Sequence, residues 1–252
     1  GVFKYFAEIC QVPRPSKKEE KIIAYLKAFG EKHNLETKVD EAGNVLIKKP
    51  ATPGKENLQT VILQSHVDMV CEKNNDVEHD FLVDPIETEI DGEWMKAKGT
   101  TLGADNGIGV ATELAILADD TIEHGPLECL FTVDEETGLT GAFALKEGFM
   151  NGDILLNLDS EDEGELFIGC AGGIDSVAQF TYKEADVPAG YFFFKVEVKG
   201  LKGGHSGGDI HLGRGNANKI LNRFLSKMIA KYDLYLCEIN GGNLRNAVPG
   251  EA

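Results

Sequence analysis

Apolar residues occur along this chain in short runs, and three of these runs lead directly into acidic residues or histidine. The three segments are VILQSHVD at 61–68, LECLFTVDEE at 127–136 and DILLNLD at 153–159. Short apolar runs of this kind are typical of strands buried in a parallel sheet. Since open α/β sheets place their ligand sites beyond the carboxyl ends of the strands, we expect the polar ends of these segments to share one pocket.

Helical spacing of apolar residues predicts amphipathic helices elsewhere. A capping-box spacing between Ser16 and Glu19 predicts the start of the first helix. A glycine-rich loop around Asp105 leads into the second, and a third is predicted from Ala217. The apolar positions that support these helices are, in order, Ile22, Ile23, Leu26 and Phe29; Ile108, Ala111, Leu114, Ala115 and Leu117; and Ile220, Leu221, Phe224, Leu225 and Met228.

The remaining apolar patterns predict strands and a division into two domains. Residues 39–47 are typical of a strand, a turn at Gly43 and Asn44, and a second strand. Towards the C-terminus, strands are predicted at 177–182, 191–198 and 232–239, which with the third helix form a β-β-α-β unit. We therefore expect an α/β domain over 1–174 and part of an α+β domain over 175–252.

Composition and charge narrow the choice of partners. The chain has 252 residues, 42% of them hydrophobic, which is typical of a soluble globular protein. Its 25 basic and 42 acidic residues give a formal net charge of -17, which repels nucleic acid phosphates and anionic lipid surfaces. We expect neither nucleic acid nor a membrane as a partner. An acidic run at 160–165 is explained by a solvated loop, so only a few carboxylates need a functional role.

Cysteine usage and the chain start bear on location. The five cysteines are odd in number, widely spaced and without a paired motif, unlike a disulfide framework or a thiolate zinc site. We therefore expect a reducing, cytoplasmic location. No apolar run approaches the ~20 residues that a membrane span needs, and no signal peptide opens the chain. Because the sequence begins at Gly1 without methionine, we expect the true N-terminus to be missing.

Two of the strand-end motifs have the residue types of a metal site. His66 and Asp68 are two residues apart, so at the end of a strand they point to the same side, where one can ligate and the other can orient it. Glu135 and Glu136 are adjacent and diverge, so one can bind a metal while the other faces an attacking water. The alternative for the first pair is a hydrogen-bonded strand end without function, and for the second a solvated acidic run.

Asp105 and Asp159 complete the set, although each has a structural alternative. Asp105 is a good helix N-cap residue, and Asp159 is explained equally well by the end of a strand. Together with the strand-end residues, however, they concentrate carboxylates in one expected pocket. So many carboxylates cannot all stay ionised in a partly dry cleft unless cations offset their repulsion. The sequence therefore predicts bound divalent metal, and a metal-dependent hydrolase.

His205 lies in GLKGGHSGG, a glycine-rich loop of the second domain. Glycines permit close approach of the backbone to another molecule, but glycine clusters are more often plain turns. The residues themselves leave both interpretations open.

These motifs resemble those of the aminoacyl-histidine dipeptidase family (peptidase D, Xaa-His dipeptidases), within the co-catalytic zinc metallopeptidases that include peptidase T and carboxypeptidase G. The resemblance covers nearly the whole chain. The segments that carry it are FAEICQVPRPSKKEE, SHVDMVCEKN, GTTLGADNGIG, VDEETGLTGA, NLDSEDEGELFIGCAGG, KGGHSGGDIHLGRGNANK and GGNLRNAVP. It implies an aminopeptidase-like catalytic domain over 1–174, with a mixed, largely parallel sheet flanked by helices, and part of a lid and dimerisation domain over 175–252.

The resemblance also implies two zinc ions, or manganese or cobalt ions in their place, and a dipeptide substrate. One ion would be bound by His66, Asp105 and Asp159, and the other by Asp105 and Glu136. Catalytic roles fall on Glu135, as general base, and on Asp68, which orients its ligand neighbour. His205 would bind the scissile carbonyl, from the opposite subunit in related dimeric members. Relatives carry a cis peptide after the bridging aspartate, so we expect one between Asp105 and Asn106.

One departure from the family pattern stands out. Members are close to twice this length, and their last metal ligand is a histidine near the C-terminus that no position here matches. We therefore expect a truncation at Ala252, with the site of three ligands binding zinc and the site of two empty or weak.

The expected activity is dizinc-dependent hydrolysis of Xaa-His dipeptides such as β-alanyl-histidine. The alternatives are a related aminoacylase or general dipeptidase, and an inactive metal-binding or protein-interaction module.

Overall fold

A computed structural model of the chain describes residues 1–74, 76–160, 162–170, 172, 174, 176–242 and 244–252. These residues form two compact units, Gly1–Gly169 and Cys170–Ala252. The predicted boundary at 174/175 falls next to this division, although Asp175 itself lies outside the described residues, as do Glu161, Ala171, Gly173 and Asn243 of the motifs above. The assignment of the two parts as catalytic and lid domains stays a prediction.

The first unit is built on a mixed sheet. In the described residues its strands are β1 (Glu36–Val39), β2 (Val45–Lys49), β3 (Val61–His66), β6 (Leu127–Thr132) and β7 (Ile154–Asn157), in the order β1-β2-β6-β3-β7. Strand β3 runs parallel to both β6 and β7, whereas β2 is antiparallel to β1 and to β6. The prediction of a mixed sheet with a parallel part that carries the ligand-rich segments is confirmed.

Register brings the polar ends of the three parallel strands to one edge. Val61 lies opposite Leu127 on one side and Ile154 on the other, so β3, β6 and β7 start level. Strands that start level and run parallel also end close to each other, since each rises by about 3.3 Å per residue. The segments that follow them therefore meet at the same edge of the sheet.

Helices cover one face of the sheet. The helices of this unit are α1 (Val2–Ile9), α2 (Glu20–Lys32), α3 (Ala104–Ala118) and α4 (Thr140–Ala144). Leu63, Cys129 and Phe131 pack with α1, α2 and α3 in the main core. The alternating residues Ile62 and Leu130 pack on the other face, with Leu46 and with partly buried residues that follow α4. The central strands β3 and β6 are thus largely removed from water on both faces, which explains their apolar runs, whereas the residues of the edge strand β7 are exposed.

The predicted helix after Ser16 forms, but the predicted capping box is wrong. Helix α2 has Glu19 at its N-cap, without a hydrogen bond from that side chain to the first turn. Ser16 Oγ instead donates to Asp68 Oδ2 at 2.7 Å. A buried carboxylate needs hydrogen-bond donors more than an exposed helix end does, because water can satisfy the latter.

The hairpin predicted at 39–47 is present as β1, a turn and β2. One carboxylate oxygen, Asp40 Oδ1, accepts hydrogen bonds from the backbone N–H groups of Ala42, Gly43 and Asn44, each at 2.9 Å. Gly43 has a φ of 102°, which residues with a side chain rarely adopt. Helix α1 and a second hairpin, β4 (Thr88–Asp91) with β5 (Trp94–Ala97), were not predicted.

The second unit differs from the expected β-β-α-β arrangement. Its helix, α5 (Ala217–Tyr232), begins at the predicted residue, and Asn216 caps it by accepting from Lys219 N. The predicted strands at 177–182, 191–198 and 232–239 are wrong: strand structure in the described part of this unit is restricted to β8 (Gly204–His205) and β9 (Ala247–Val248), which pair antiparallel. Periodicity identifies side chains that suit a strand, but a strand also needs backbone partners, and the apolar side chains of these segments, such as Phe180 and Phe192, are exposed.

A short 3₁₀ turn, Ile210–Leu212, lies between β8 and α5. Within the described residues, no helix is both long enough and apolar enough to cross a membrane.

Candidate metal centre

The carboxyl ends of β3, β6 and β7 gather the predicted ligands around one histidine. His66, the last residue of β3, is buried with 1% of its surface exposed. Its Nε2 atom lies 3.0 Å from Asp105 Oδ1, 3.8 Å from Asp159 Oδ2 and 4.0 Å from Glu135 Oε2. Four residues from four separate segments of the sequence thus meet within a few ångströms.

Three of these segments provide a set of metal-ligating atoms. His66, Asp105 and Glu136 each offer one ligand atom, and these atoms all lie within 4.8 Å of one another. One imidazole nitrogen with carboxylate oxygens is a donor set that suits zinc. Asp159 stands beside this group through its contact with His66. The structure therefore brings together all four residues that the sequence assigns to metal, and their division between two ions stays a prediction.

Electrostatics show that the cluster holds an excess of negative charge. Burial, with the nearby Asp105 carboxylate, raises the pKa of Glu136 to about 7. Burial also raises the pKa of Glu135 and of Asp159. Although burial lowers the pKa of His66, hydrogen bonds to Asp105 and Asp68 outweigh it and raise that pKa to about 10. The raised pKa values mean that protons offset the repulsion between the carboxylates where the metal-ligating atoms converge. Divalent cations can offset the same negative charge.

Asp68 orients the groups around it. It is fully buried, and its carboxylate accepts hydrogen bonds from Glu135 N at 3.0 Å and from Glu136 N at 3.2 Å. Its Oδ1 atom also lies 3.3 Å from His66 Nδ1. Burial would raise the pKa of Asp68, but the hydrogen bonds from His66 and from the backbone of Glu135 lower it. One ionised side chain therefore fixes both the imidazole ring and the paired glutamates, which suits the orienting role predicted for it.

Arg14 was not predicted, yet it joins two segments of the site. Its buried guanidinium donates to Val67 O at 3.0 Å, to Asp68 O at 3.3 Å and to Gly103 O at 2.6 Å. Gly103 has a φ of 70°, and a Cβ atom there would come within 2.5 Å of the guanidinium. The end of β3 and the loop before Asp105 are thereby held together. The only sequence signal for this role is an arginine between two prolines.

A second set of contacts fixes the turn that carries the glutamates. Glu19 Oε1 accepts a hydrogen bond from Asp134 N at 3.0 Å, so the cap residue of α2 anchors the end of β6. The carboxylate of Asp134 in turn accepts from Thr137 Oγ1 at 2.5 Å and from Thr140 Oγ1. Glu19, Asp68 and Asp134 form a second acidic group, in which backbone and hydroxyl donors already occupy the carboxylates.

Asn106 positions the last of the predicted ligands. The peptide bond between Asp105 and Asn106 is cis, as expected. Asn106 Nδ2 donates to Asp159 Oδ1 at 2.9 Å and to Leu158 O at 3.1 Å. Asn106 therefore fixes the position of Asp159, the predicted ligand that follows β7.

His205 lies in the second unit, at the end of β8, and its glycine loop has a defined geometry. The backbone N–H groups of Gly207 and Gly208 donate to His205 Nδ1 at 3.1 and 3.0 Å. A ring nitrogen that accepts hydrogen bonds carries no proton, so the proton of the neutral ring is on Nε2. His205 is thus prepared to donate a hydrogen bond from Nε2.

Comparison with known proteins shows which proteins this chain is similar to. Residues 196–252 match the family model described as a peptidase dimerisation domain. Over 98% of its length the chain is 55% identical to the cytosol non-specific dipeptidase of Escherichia coli (strain K12), of which it covers 51%. The chain is thus similar to dipeptidases, and its last segment is similar to a peptidase dimerisation domain.

Solved structures agree with this similarity. The chain superposes on the aminoacylhistidine dipeptidase of Vibrio alginolyticus with a TM-score of 0.67 and 51% identity, covering 99% of itself and 51% of that protein. The aminopeptidase PepT of Bacillus cereus, at 22% identity and a TM-score of 0.55, shows the same fold. The chain therefore spans about half the length of the two dipeptidases that it matches at more than 50% identity.

Proposed function

We propose that this chain provides the metal-binding half of a dipeptidase that cleaves the peptide bond of Xaa-His dipeptides. The observation that carries the proposal is the convergence of His66, Asp105, Glu136 and Asp159 at one sheet edge, with Glu135 beside them. The carboxylates of this group converge on a buried histidine, an arrangement that a solvated acidic surface does not require. The dipeptidase names of the two relatives support the substrate class.

We propose that the donor residues would hold two divalent ions, with Asp105 contributing to both sites. In the proposal, His66, Asp105 and Asp159 hold one zinc, and Asp105 and Glu136 hold the other. Bound zinc in such a site supplies a water of lowered pKa and polarises the substrate carbonyl. Manganese or cobalt would serve in its place, since both accept imidazole and carboxylate ligands.

Glu135 is the general base of the proposed reaction. The neighbouring Glu136 offers a ligand atom to the group that it forms with His66 and Asp105. The side chain of Glu135 does not belong to this group and stays partly exposed. Asp68 fixes the backbone N–H of Glu135, which aims the side chain. Burial raises the pKa of Glu135, and a carboxylate with a raised pKa is a better acceptor for the proton of a water molecule, which it would then return to the leaving amine.

His205 stabilises the negative charge that develops on the carbonyl oxygen. With Nδ1 occupied by two backbone donors, Nε2–H is the group of the ring that is left to donate to a substrate. A neutral donor already oriented in this way strengthens its hydrogen bond as charge builds up in the transition state.

Steady-state kinetics on the full-length dipeptidase, of which this chain is proposed to be the metal-binding half, test the proposal. We expect hydrolysis of β-alanyl-histidine that chelation removes and zinc restores. The E. coli relative is named a non-specific dipeptidase, so dipeptides without histidine are the first comparison, and N-acetyl amino acids test the aminoacylase alternative. A higher kcat/KM for either class would reassign the substrate. Bound zinc without turnover of any of them would favour a metal-binding module.

The proposal includes assembly and location. Because residues 196–252 match a peptidase dimerisation domain, we propose a homodimer formed through this segment, in the cytoplasm. Light scattering on the purified protein would give the mass of two chains, and a monomer at micromolar concentration would contradict it.

A further inference from the structure

A fully buried carboxyl group lies behind the metal centre, on the helix side of the sheet. Glu113, on α3, has none of its surface exposed. Ser65 and Cys129, on the face of β3 and β6 that packs on this helix, are its polar neighbours. Glu113 belongs neither to the proposed ligands nor to the groups that contact them directly. A buried glutamate in an apolar core is costly unless its polar atoms are satisfied.

Several buried polar atoms near Glu113 have no hydrogen-bond partner among the described residues. Among the described residues, both carboxyl oxygens of Glu113, the hydroxyl of Ser65 and the amide oxygen of Asn106 are buried without a hydrogen bond of ordinary geometry. Native proteins leave few such atoms unpaired. Three side chains in this condition at one place indicate a network whose members lie close to each other and need only small movements to join.

A glycine shows that two members of this group face the same point. A Cβ atom at Gly109 would lie 2.0 Å from Asn106 Oδ1 and 3.1 Å from Ser65 Cβ. Gly109 and Glu113 are four residues apart, on one face of α3. The absent side chain at 109 therefore leaves room in which the amide of Asn106 approaches Ser65, with Glu113 one turn further along.

The number of hydrogen-bond donors available to these side chains indicates which group donates to which. Asn106 Oδ1 only accepts, because the Nδ2 group of the same side chain already donates to Asp159 Oδ1 and Leu158 O. The Ser65 hydroxyl is the neighbouring donor for it, and Ser65 Oγ then needs a donor of its own. A protonated Glu113 supplies one, and its O–H is a stronger donor than the thiol of the neighbouring Cys129. Burial raises the pKa of Glu113 well above its ordinary value, which agrees with the neutral acid.

We propose that Glu113 is a positioning residue: its neutral carboxyl group donates to Ser65 Oγ, Ser65 donates to Asn106 Oδ1, and Asn106 thereby holds Asp159 towards the metal. The metal part of this inference rests on the proposed function, whereas the network itself does not. Ser65 directly precedes His66, so the same chain of hydrogen bonds steadies a ligand on each side of the cleft. Groups behind a metal ligand commonly change metal affinity by about 10- to 100-fold when they are removed.

Two substitutions at one position test the network. Glu113→Gln keeps a neutral side chain of the same shape with a donor, whereas Glu113→Met keeps the length but removes all hydrogen bonding. We expect zinc affinity, measured by chelator competition on the 252-residue chain, to stay within about threefold of the parent in Glu113→Gln and to fall about tenfold or more in Glu113→Met. Leu114→Val, a buried apolar change at the next residue of α3, is the control for general loosening of the core and should leave affinity unchanged.

A readout without metal separates this inference from the proposed function. The side-chain amide resonances of Asn106 should move in Glu113→Met and stay in place in Glu113→Gln. In infrared difference spectra between the parent and each Glu113 variant, a carbonyl band of a protonated carboxylic acid should be lost. Because Glu136, with a pKa of about 7, is also partly protonated at neutral pH, only the part of the band that is lost reports on Glu113.

The outcomes are distinct. Unmoved Asn106 resonances in Glu113→Met, an equal loss of affinity in both variants, or a protonated-acid band that is unchanged in the Glu113 variants would overturn the network. If the parent chain binds no zinc, the proposed function fails, and the Asn106 resonances and the infrared band still decide the role of Glu113.

Discussion

At the scale of single residues, the role proposed for each side chain depends on which of its atoms are already occupied by hydrogen bonds within the protein. The carboxylate of Asp68 accepts hydrogen bonds from protein donors, which suits the orienting role predicted for it. Glu136 offers a carboxylate oxygen to the possible metal site that it forms with His66 and Asp105, and its neighbour Glu135 does not belong to this site. The sequence could predict this separation because adjacent side chains at a strand end diverge. It could not predict Arg14 or Asn106, whose partners are backbone and side-chain atoms brought close only by folding.

The proposed base makes a prediction at this scale. Glu135→Gln removes the proton acceptor while keeping the shape, so turnover should fall by the ~10² to 10⁴ typical of a lost acid-base group. Zinc content, measured on the same preparation, should not change. Glu163→Gln, at an exposed acidic residue, is the matched control and should retain full activity. A loss of zinc together with turnover would make Glu135 a ligand.

At the scale of elements, the sequence predicted those parts that depend on local pattern and short loops. Runs of apolar residues located β3, β6 and β7, and helical spacing located α2, α3 and α5. The wrong predictions share a cause, which is competition from distant partners. Ser16 serves Asp68 and not the helix start, and the segment at 191–198 has strand-like residues without the ladder that a strand requires. Local pattern carries no information about which distant group will be nearby.

A substitution of Arg14 tests whether this side chain holds the end of β3 and the Gly103 loop together. Arg14→Met removes three buried hydrogen bonds between the end of β3 and the Gly103 loop. Because hydrogen bonds that involve a charged group contribute about 1.5 to 3 kcal/mol each and are not additive, we expect a loss of about 2 to 4 kcal/mol in the free energy of unfolding. Lys98→Met, at an exposed lysine, should change it by less than about 0.5 kcal/mol. An equal effect of both substitutions in urea unfolding would show that Arg14 does not hold the site together.

At the scale of the whole molecule, acidic charge makes stability depend on pH and on metal. The chain carries a formal net charge of -17, and part of that charge is concentrated at the buried cluster. In the absence of metal, the folded cluster holds protons that the unfolded chain would release. The pKa of Glu136 is raised to about 7 and that of His66 to about 10. A group whose pKa is raised by folding stabilises the fold below its unfolded pKa, and this contribution is lost as pH rises through the folded pKa.

The sign of this effect gives the final prediction. From about pH 5, where Glu136 would begin to ionise in the unfolded chain, to about pH 10, the metal-free protein should lose stability steadily, seen as a falling Tm. Zinc should reverse the trend, because its ligands must be deprotonated and its binding becomes tighter as pH rises. Calorimetry in buffers of different ionisation enthalpy should show net proton release on zinc binding at neutral pH. A Tm of the metal-free chain that rises across this range, or zinc binding without proton release, would contradict the charge balance inferred for the cluster.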